Sequence, residues 1–223
     1  MNQKKIKAII FDMDGVLVNS EPHHVIIEKS LLASLGLNIS DEEHRSYLGK
    51  SSQQMWKEVR EKHGLLQSAE ELAGLNNDEI IKHFSGLSQL ELMPGVTDVL
   101  NKVRDLGIPM AVASSSDPGT IELMLTKTGL AGYFLYLVSC AIVGKSKPDP
   151  GVYIYTAGLL SVNPEECIVI EDSGNGIMAA KSAGMVCVEY NNNHTTNQVH
   201  PLADEYIDDY SKLPVILEKY LVL

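Results

Sequence analysis

Short apolar runs that end on a polar or charged residue alternate along this chain with longer stretches that space their apolar residues at helical intervals. The first run, Ala8-Ile9-Ile10-Phe11, is apolar throughout, the pattern of a strand buried on both faces of a parallel sheet. Further strands are predicted at Pro109 to Ala113, Leu135 to Ser139, Cys167 to Ile170 and Val186 to Tyr190, with a short one near Glu205 to Ile207. Helices fit between them. One runs from Val96 to Leu106 and ends at Gly107, another is capped by Asp117-Pro118 and reaches Thr128, and a third follows the loop Gly144 to Pro150 and ends at Leu160. Two more run from Gly174 through Ala183 and from Ser211 onward. Repeated βα units of this kind predict an α/β fold, a doubly wound parallel sheet of Rossmann-like type with right-handed crossovers.

Between the first strand and Val96 only helical patterning occurs. Asn19-Ser20-Glu21-Pro22 reads as a helix start with a capping Ser or Asn, and that helix runs to Leu35 with Gly36 ending it. Segments after Ser40-Asp41-Glu42-Glu43, from Gln53 to His63 and from Ser68 to His83 follow. A block of helices between one strand and the next α/β segment predicts a small helical domain over residues 18–89, inserted into a core of residues 1–17 and 90–223. Trp56 and Met55 on one of its helices read as packing residues.

Composition narrows the function. With 223 residues, 44% hydrophobic and 21% charged, the chain can bury a sizeable core and shows no case for general disorder. A net charge of -11 argues against nucleic acid and anionic membranes as partners and leaves a small molecule as the expected one. Cys140, Cys167 and Cys187 are odd in number and sit among apolar neighbours, so buried free thiols are expected. The N-terminal residues run into the first strand without a signal-type apolar segment, and a cytoplasmic monomer is the expectation.

Four predicted βα junctions carry groups suited to chemistry: Asp12 and Asp14, then Ser114 and Ser115, then Lys147, then Glu171 and Asp172. Parallel strands present their C-terminal ends on one sheet edge, so residues far apart in sequence would meet there. Carboxylates gathered this closely repel one another unless a cation shares them, and an all-oxygen set suits a hard ion such as Mg²⁺. With the ion and Lys147 present, the site would attract an oxyanion, held by Ser114 and nearby backbone N–H groups. Phosphoryl transfer follows. One carboxylate can attack phosphorus while a second protonates the leaving oxygen and then activates water.

Other readings carry less. Ser173-Gly174-Asn175-Gly176-Ile177-Met178-Ala179 satisfies a dinucleotide-binding pattern, but Glu171 and Asp172 just before it have the wrong charge for a pyrophosphate. Small residues that let a helix begin beside a metal site explain it better. Lys145 reads as a solvated loop charge beside Lys147, and adjacent His23 and His24 on a helix face different directions and do not make a metal pair.

Asp12-Met13-Asp14-Gly15-Val16, a Ser after an apolar strand, Lys147 before Pro148, and Glu171-Asp172 match in order the four motifs of the haloacid dehalogenase superfamily. The whole chain resembles its branch of phosphatases and β-phosphoglucomutases with a helical cap inserted after the first motif. The resemblance implies Asp12 as nucleophile, Asp14 as general acid and base, and Ser114, Ser115 and Lys147 as phosphate ligands. It also implies Mg²⁺ on Asp12, on the backbone carbonyl of Asp14 and on Asp172, with Glu171 bound directly or through water. His24 would couple substrate binding to cap closure, and the cap loop from Leu48 to Gln53 would touch the leaving group. β-Phosphoglucomutases carry an Arg in that loop for a second phosphate; here only Lys50 or nearby Arg45 could replace it. A phosphatase of small phosphorylated metabolites, sugar or polyol monophosphates, is therefore preferred over a phosphomutase or a non-catalytic Mg²⁺- and phosphate-binding regulator.

Overall fold

The computed structural model describes residues 6–47, 50–192 and 199–220. Leu48 and Gly49 of the predicted cap loop, and Asn193 to Asn197 of the polar stretch after the fifth strand, lie outside the described residues. Strand β1 (Ala8–Phe11) is followed by helices α1 (Glu21–Ser34), α2 (Asp41–Arg45), α3 (Ser52–His63) and α4 (Ala69–Gly86). The chain continues through α5 (Val96–Asp105), β2 (Met110–Ser114), α6 (Pro118–Lys127), β3 (Tyr136–Ser139) and α7 (Cys140–Val143). It closes with α8 (Gly151–Leu159), β4 (Cys167–Glu171), α9 (Gly174–Ser182), β5 (Val186–Tyr190), β6 (Glu205–Ile207) and α10 (Leu213–Tyr220). The short helix α7 carries no sequence signal of its own beyond Gly144, which ends it in a left-handed conformation at φ +70°.

Among the described residues six strands pair in parallel, in the order β3-β2-β1-β4-β5-β6. The chain winds outward from β1 to β3 and then returns past it to β4, so the strand order reverses between β1 and β4. Ligand crevices of open α/β sheets form at such a reversal, beyond the strand C-termini. Phe11 stands opposite Ile170 in the register, which sets Asp12 beside Glu171 at that crevice.

Alternation along β1 explains the two core layers. Ile9 and Phe11 face a cluster that includes Val99 and Leu100 of α5, Met124 of α6 and Leu217 of α10. Ala8 and Ile10 face the other layer, with Val152 and Tyr153 of α8 and Ile177 of α9. No helix among the described residues is long and apolar enough to cross a membrane, and all three cysteines are buried and free.

Helices α1, α3 and α4, with Tyr47 after α2, pack around a cluster of their own, with Leu32, Trp56, Val59 and Leu72 fully or almost fully buried. Serines start three of these helices: Ser40 accepts from Glu43 N–H, Ser51 from Gln54 N–H, and Ser68 forms a reciprocal box with Glu71. Ser20 departs from the expected pattern. It precedes α1 but caps nothing, its backbone being helical (φ −95°, ψ −22°) and not extended, and its hydroxyl donates to Asp14 Oδ1 at 2.5 Å. Asp117 likewise occupies the start of α6 without a side-chain cap.

The helical insertion is fastened to the sheet layer at its C-terminal end. Lys127 Nζ of α6 donates to the carbonyls of Phe84 (2.6 Å) and Ser85 (2.8 Å), which are left over at the end of α4. Trp56 is the insertion's largest buried side chain. Trp56→Ala should lower unfolding stability by about 3–5 kcal/mol, measured by urea denaturation followed by circular dichroism.

Candidate active site

β1 delivers Asp12 to the crevice, and the chain then turns at Gly15, which adopts φ +73°. A Cβ on Gly15 would lie 2.3 Å from Asp172 Oδ2, so only glycine lets the first loop approach the end of β4 this closely. Lys147 enters from the loop before α8, and its Nζ stands 2.6 Å from Asp12 Oδ1, 2.6 Å from Glu171 Oε1 and 3.0 Å from the Ala113 carbonyl. The Lys147 ammonium also sits 4.9 Å above the Tyr153 ring, and the Tyr153 hydroxyl donates to Glu171 Oε1 at 2.7 Å.

Glu171 is fully buried behind this pair. Its Oε2 accepts from the N–H groups of Asp172 and Ser173 and from the Ser173 hydroxyl, each at 3.0 Å. Gly176 makes room for it, since a Cβ there would fall 1.7 Å from Glu171 Oε1. This accounts for the second glycine of the run that mimics a dinucleotide motif: it lets α9 begin against a buried carboxylate. Asp172 Oδ2 accepts from Asn192 Nδ2 at 2.7 Å, and the same amide reaches the Gly15 carbonyl at 2.9 Å.

Asp14 is held from the opposite side. Its Oδ1 accepts from Ser20 and lies 3.1 Å from His24 Nε2; its Oδ2 accepts from the Ser116 hydroxyl at 2.7 Å, with Ser114 Oγ farther off at 3.5 Å. Burial alone would raise the Asp14 carboxyl, but the hydrogen bonds from His24, Ser20 and Ser116 and the charge of His24 bring it down to about 2. Burial works against His24 too, yet Asp14 lifts it to about 9. At neutral pH this pair carries one proton between an imidazolium and a carboxylate.

The other carboxylates behave differently. Burial raises Asp12 to about 8 against the pull of Lys147, with Glu171 and Asp14 pushing the same way as burial. Burial, then Glu171 and Asp12, raise Asp172 well above the ordinary carboxylate range. Glu171 alone of the three is lowered, because Lys147 and its hydrogen-bond donors outweigh burial. Oxygens of Asp12, Glu171 and Asp172 lie within 4.8 Å of one another. One lysine cannot balance three buried carboxylates, and an all-oxygen donor set of this kind fits a hard divalent cation.

A cavity of about 190 Å³ opens over these groups. Asp12, Asp14, Ser114, Ser115, Lys147 and Asp172 line it, and so do His24 and Lys50 from the helical insertion. Lys50 is paired with Glu58 at 2.5 Å, and Ser115 Oγ lies 3.8 Å from Cys140 Sγ. Lys145 pairs with Asp149 in the exposed loop, and His23 turns away from the site to His83. Ser116, Ser20, Tyr153 and Asn192 were not legible as site residues. The run Ser114-Ser115-Ser116 after an apolar strand held the signal for Ser116; the other three are recognisable only by what they touch.

The raised groups make stability depend on pH. Asp12, Asp172 and His24 bind protons more tightly in the folded chain than in the unfolded one, so the stability they confer is lost as pH rises through their folded values, about 8 for Asp12 and about 9 for His24. Asp14 and Glu171 are lowered and lose their contribution only in acid. In EDTA, the melting temperature should fall between about pH 7 and about pH 9 in scanning calorimetry; a rise over that interval would contradict this charge balance.

Residues 6–184 match the family described as haloacid dehalogenase-like hydrolase. The chain is similar to the phosphorylated carbohydrates phosphatase of Thermotoga maritima, with 33% identity over 180 residues, 81% of this chain and 82% of that one. Hexitol phosphatase B of Escherichia coli is 32% identical over 188 residues, 82% of each chain. The crystal structure of β-phosphoglucomutase from Clostridium difficile superposes with a TM-score of 0.81 at 26% identity, over 96% of this chain and 97% of that one. Together with the inserted helices and the aspartates at the end of β1, these matches establish that the chain belongs to the haloacid dehalogenase-like hydrolases.

Proposed function

We propose that the protein is a Mg²⁺-dependent phosphatase of small phosphorylated metabolites, sugar or polyol monophosphates, acting through an aspartyl-phosphate on Asp12. The observation that carries this reading is the placement of Asp12, Asp14, Ser114 and Lys147 on one cavity beside the Asp12, Glu171 and Asp172 cluster. The names of the relatives, phosphatases of carbohydrate and hexitol phosphates, support the substrate class. Residues 18–89 would form the cap and residues 1–17 and 90–223 the catalytic core.

The carboxylate form of Asp12, paired with Lys147, attacks phosphorus and forms the new P–O bond as the ester oxygen departs with a proton passed from the His24 imidazolium through Asp14. Asp14 then takes a proton from water, whose oxygen attacks the same phosphorus; the bond to Asp12 breaks and inorganic phosphate leaves. Asp14 is suited to both steps because His24 keeps a proton beside it. Lys147 balances the charge on Asp12 and on the incoming phosphoryl oxygens, while the Ser114 hydroxyl and neighbouring N–H groups hold them. Asp12, Asp172 and the backbone carbonyl of Asp14 would hold Mg²⁺, which when bound offsets phosphoryl charge, and Glu171 would support Lys147 from behind.

Hydrolysis is favoured over mutase chemistry by the charges on the cap side. A mutase must grip a second phosphate, yet Glu21 and Glu28 line the cavity there. Among the described lining residues Lys50 and His24 are each taken by a carboxylate, Glu58 and Asp14.

A panel of phosphorylated metabolites assayed for phosphate release should show turnover with Mg²⁺ and none in EDTA. Asp12→Asn should lower turnover by roughly 10³-fold or more while remaining folded; appreciable residual turnover would remove Asp12 from the nucleophile role. Mg²⁺ at about a hundred times its dissociation constant should stabilise the protein by about 2.7 kcal/mol, read as a raised melting temperature. Asp172→Asn should abolish most of that rise.

A further inference from the structure

Tyr153 lies on the inner face of α8, and its side chain is fully buried. A phenylalanine would fill the same space, so burying the hydroxyl needs a reason of its own. That hydroxyl meets Glu171 Oε1 at 2.7 Å. The same oxygen accepts from Lys147 Nζ at 2.6 Å, and the ammonium stands 4.9 Å over the Tyr153 ring. Glu171 is itself fully buried, so an oxygen that loses its donor there has no water to replace it.

Lys147 has no donor to spare. An ammonium carries three N–H groups, and those of Lys147 go to Asp12 Oδ1, to Glu171 Oε1 and to the Ala113 carbonyl. To hold a phosphoryl oxygen as well, Lys147 must turn one of them away from its present partner. Asp12 needs its own in order to remain the attacking carboxylate. Glu171 can release the one it has: Tyr153 stays on Oε1, while Oε2 keeps the N–H groups of Asp172 and Ser173 and the Ser173 hydroxyl.

We propose that Tyr153 is a positioning residue for phosphoryl binding: its hydroxyl holds Glu171 Oε1 while Lys147 turns one N–H from that oxygen to an oxygen of the phosphoryl group. This rests on the phosphomonoester reading of the site and deepens it. Without the hydroxyl, Lys147 would be the sole donor to Oε1 among the described residues, and its release would leave a buried carboxylate oxygen bare. The ring attracts the ammonium throughout, and a phenylalanine would retain that attraction, so Tyr153→Phe isolates the hydroxyl.

The test titrates wild type and Tyr153→Phe in a calorimeter with Mg²⁺ and then, in saturating Mg²⁺, with inorganic phosphate; circular dichroism checks that each variant is folded. Tyr153→Phe should weaken phosphate binding by about tenfold while changing the Mg²⁺ dissociation constant by less than about twofold. In a Glu171→Gln background the same substitution should change phosphate affinity by less than about threefold, because a neutral amide holds Lys147 more weakly. A packing role would lower the melting temperature and leave phosphate affinity where it was. Equal phosphate affinity in wild type and Tyr153→Phe overturns the proposal, and so does an equal loss in both backgrounds or a matching loss of Mg²⁺ affinity. If wild type binds phosphate but releases none from phosphate monoesters, the hydrolytic reading fails while the titrations still decide the role of Tyr153. A wild type that binds no phosphate overturns both.

Discussion

Lys147, clamped between Asp12 and Glu171, is the interaction on which the rest of the site depends. It is a buried ammonium tied to two buried carboxylates, and removing either kind of partner leaves an uncompensated charge that typically costs about 3–5 kcal/mol. The geometry is correspondingly over-determined. Tyr153 and the start of α9 hold Glu171, Glu171 holds Lys147, and Lys147 aims Asp12. Asp12 and Lys147 are therefore positioned by side chains set deeper in the fold.

The same arrangement leaves negative charge in excess. Glu171 is neutralised well enough to stay ionised, whereas Asp12 and Asp172 are pushed upward by burial and by one another. A cluster in that condition is suited to a cation, because an ion would remove a repulsion that folding has imposed.

Two kinds of contact join the helical insertion to this centre. Along α4, Thr120 of α6 donates to Asn77 at the cavity wall and Lys127 of α6 holds the carbonyls at the helix end, fixing the insertion to the sheet layer. Near the start of α1, Ser20 and His24 bind Asp14 directly. Asp14, the proposed acid and base, is thus part of the seam, and the insertion touches the site through that one carboxylate.

Much of this was readable from the chain alone. Fully apolar runs such as Ala8 to Phe11 determined parallel strands, the strand-free stretch before Val96 determined a helical insertion, and charged residues at strand ends determined where the site would lie, because periodicity and sheet topology are local consequences of residue type. Asp12, Asp14, Ser114, Lys147 and Asp172 were legible for that reason. What only the tertiary structure decided is how side chains share partners: that Ser20 binds Asp14, that Tyr153 and Asn192 orient carboxylates, and that Lys50 is already paired. Each depends on distances between segments far apart in sequence, and a hydrogen bond is set by such distances to within a few tenths of an ångström, which residue spacing does not encode.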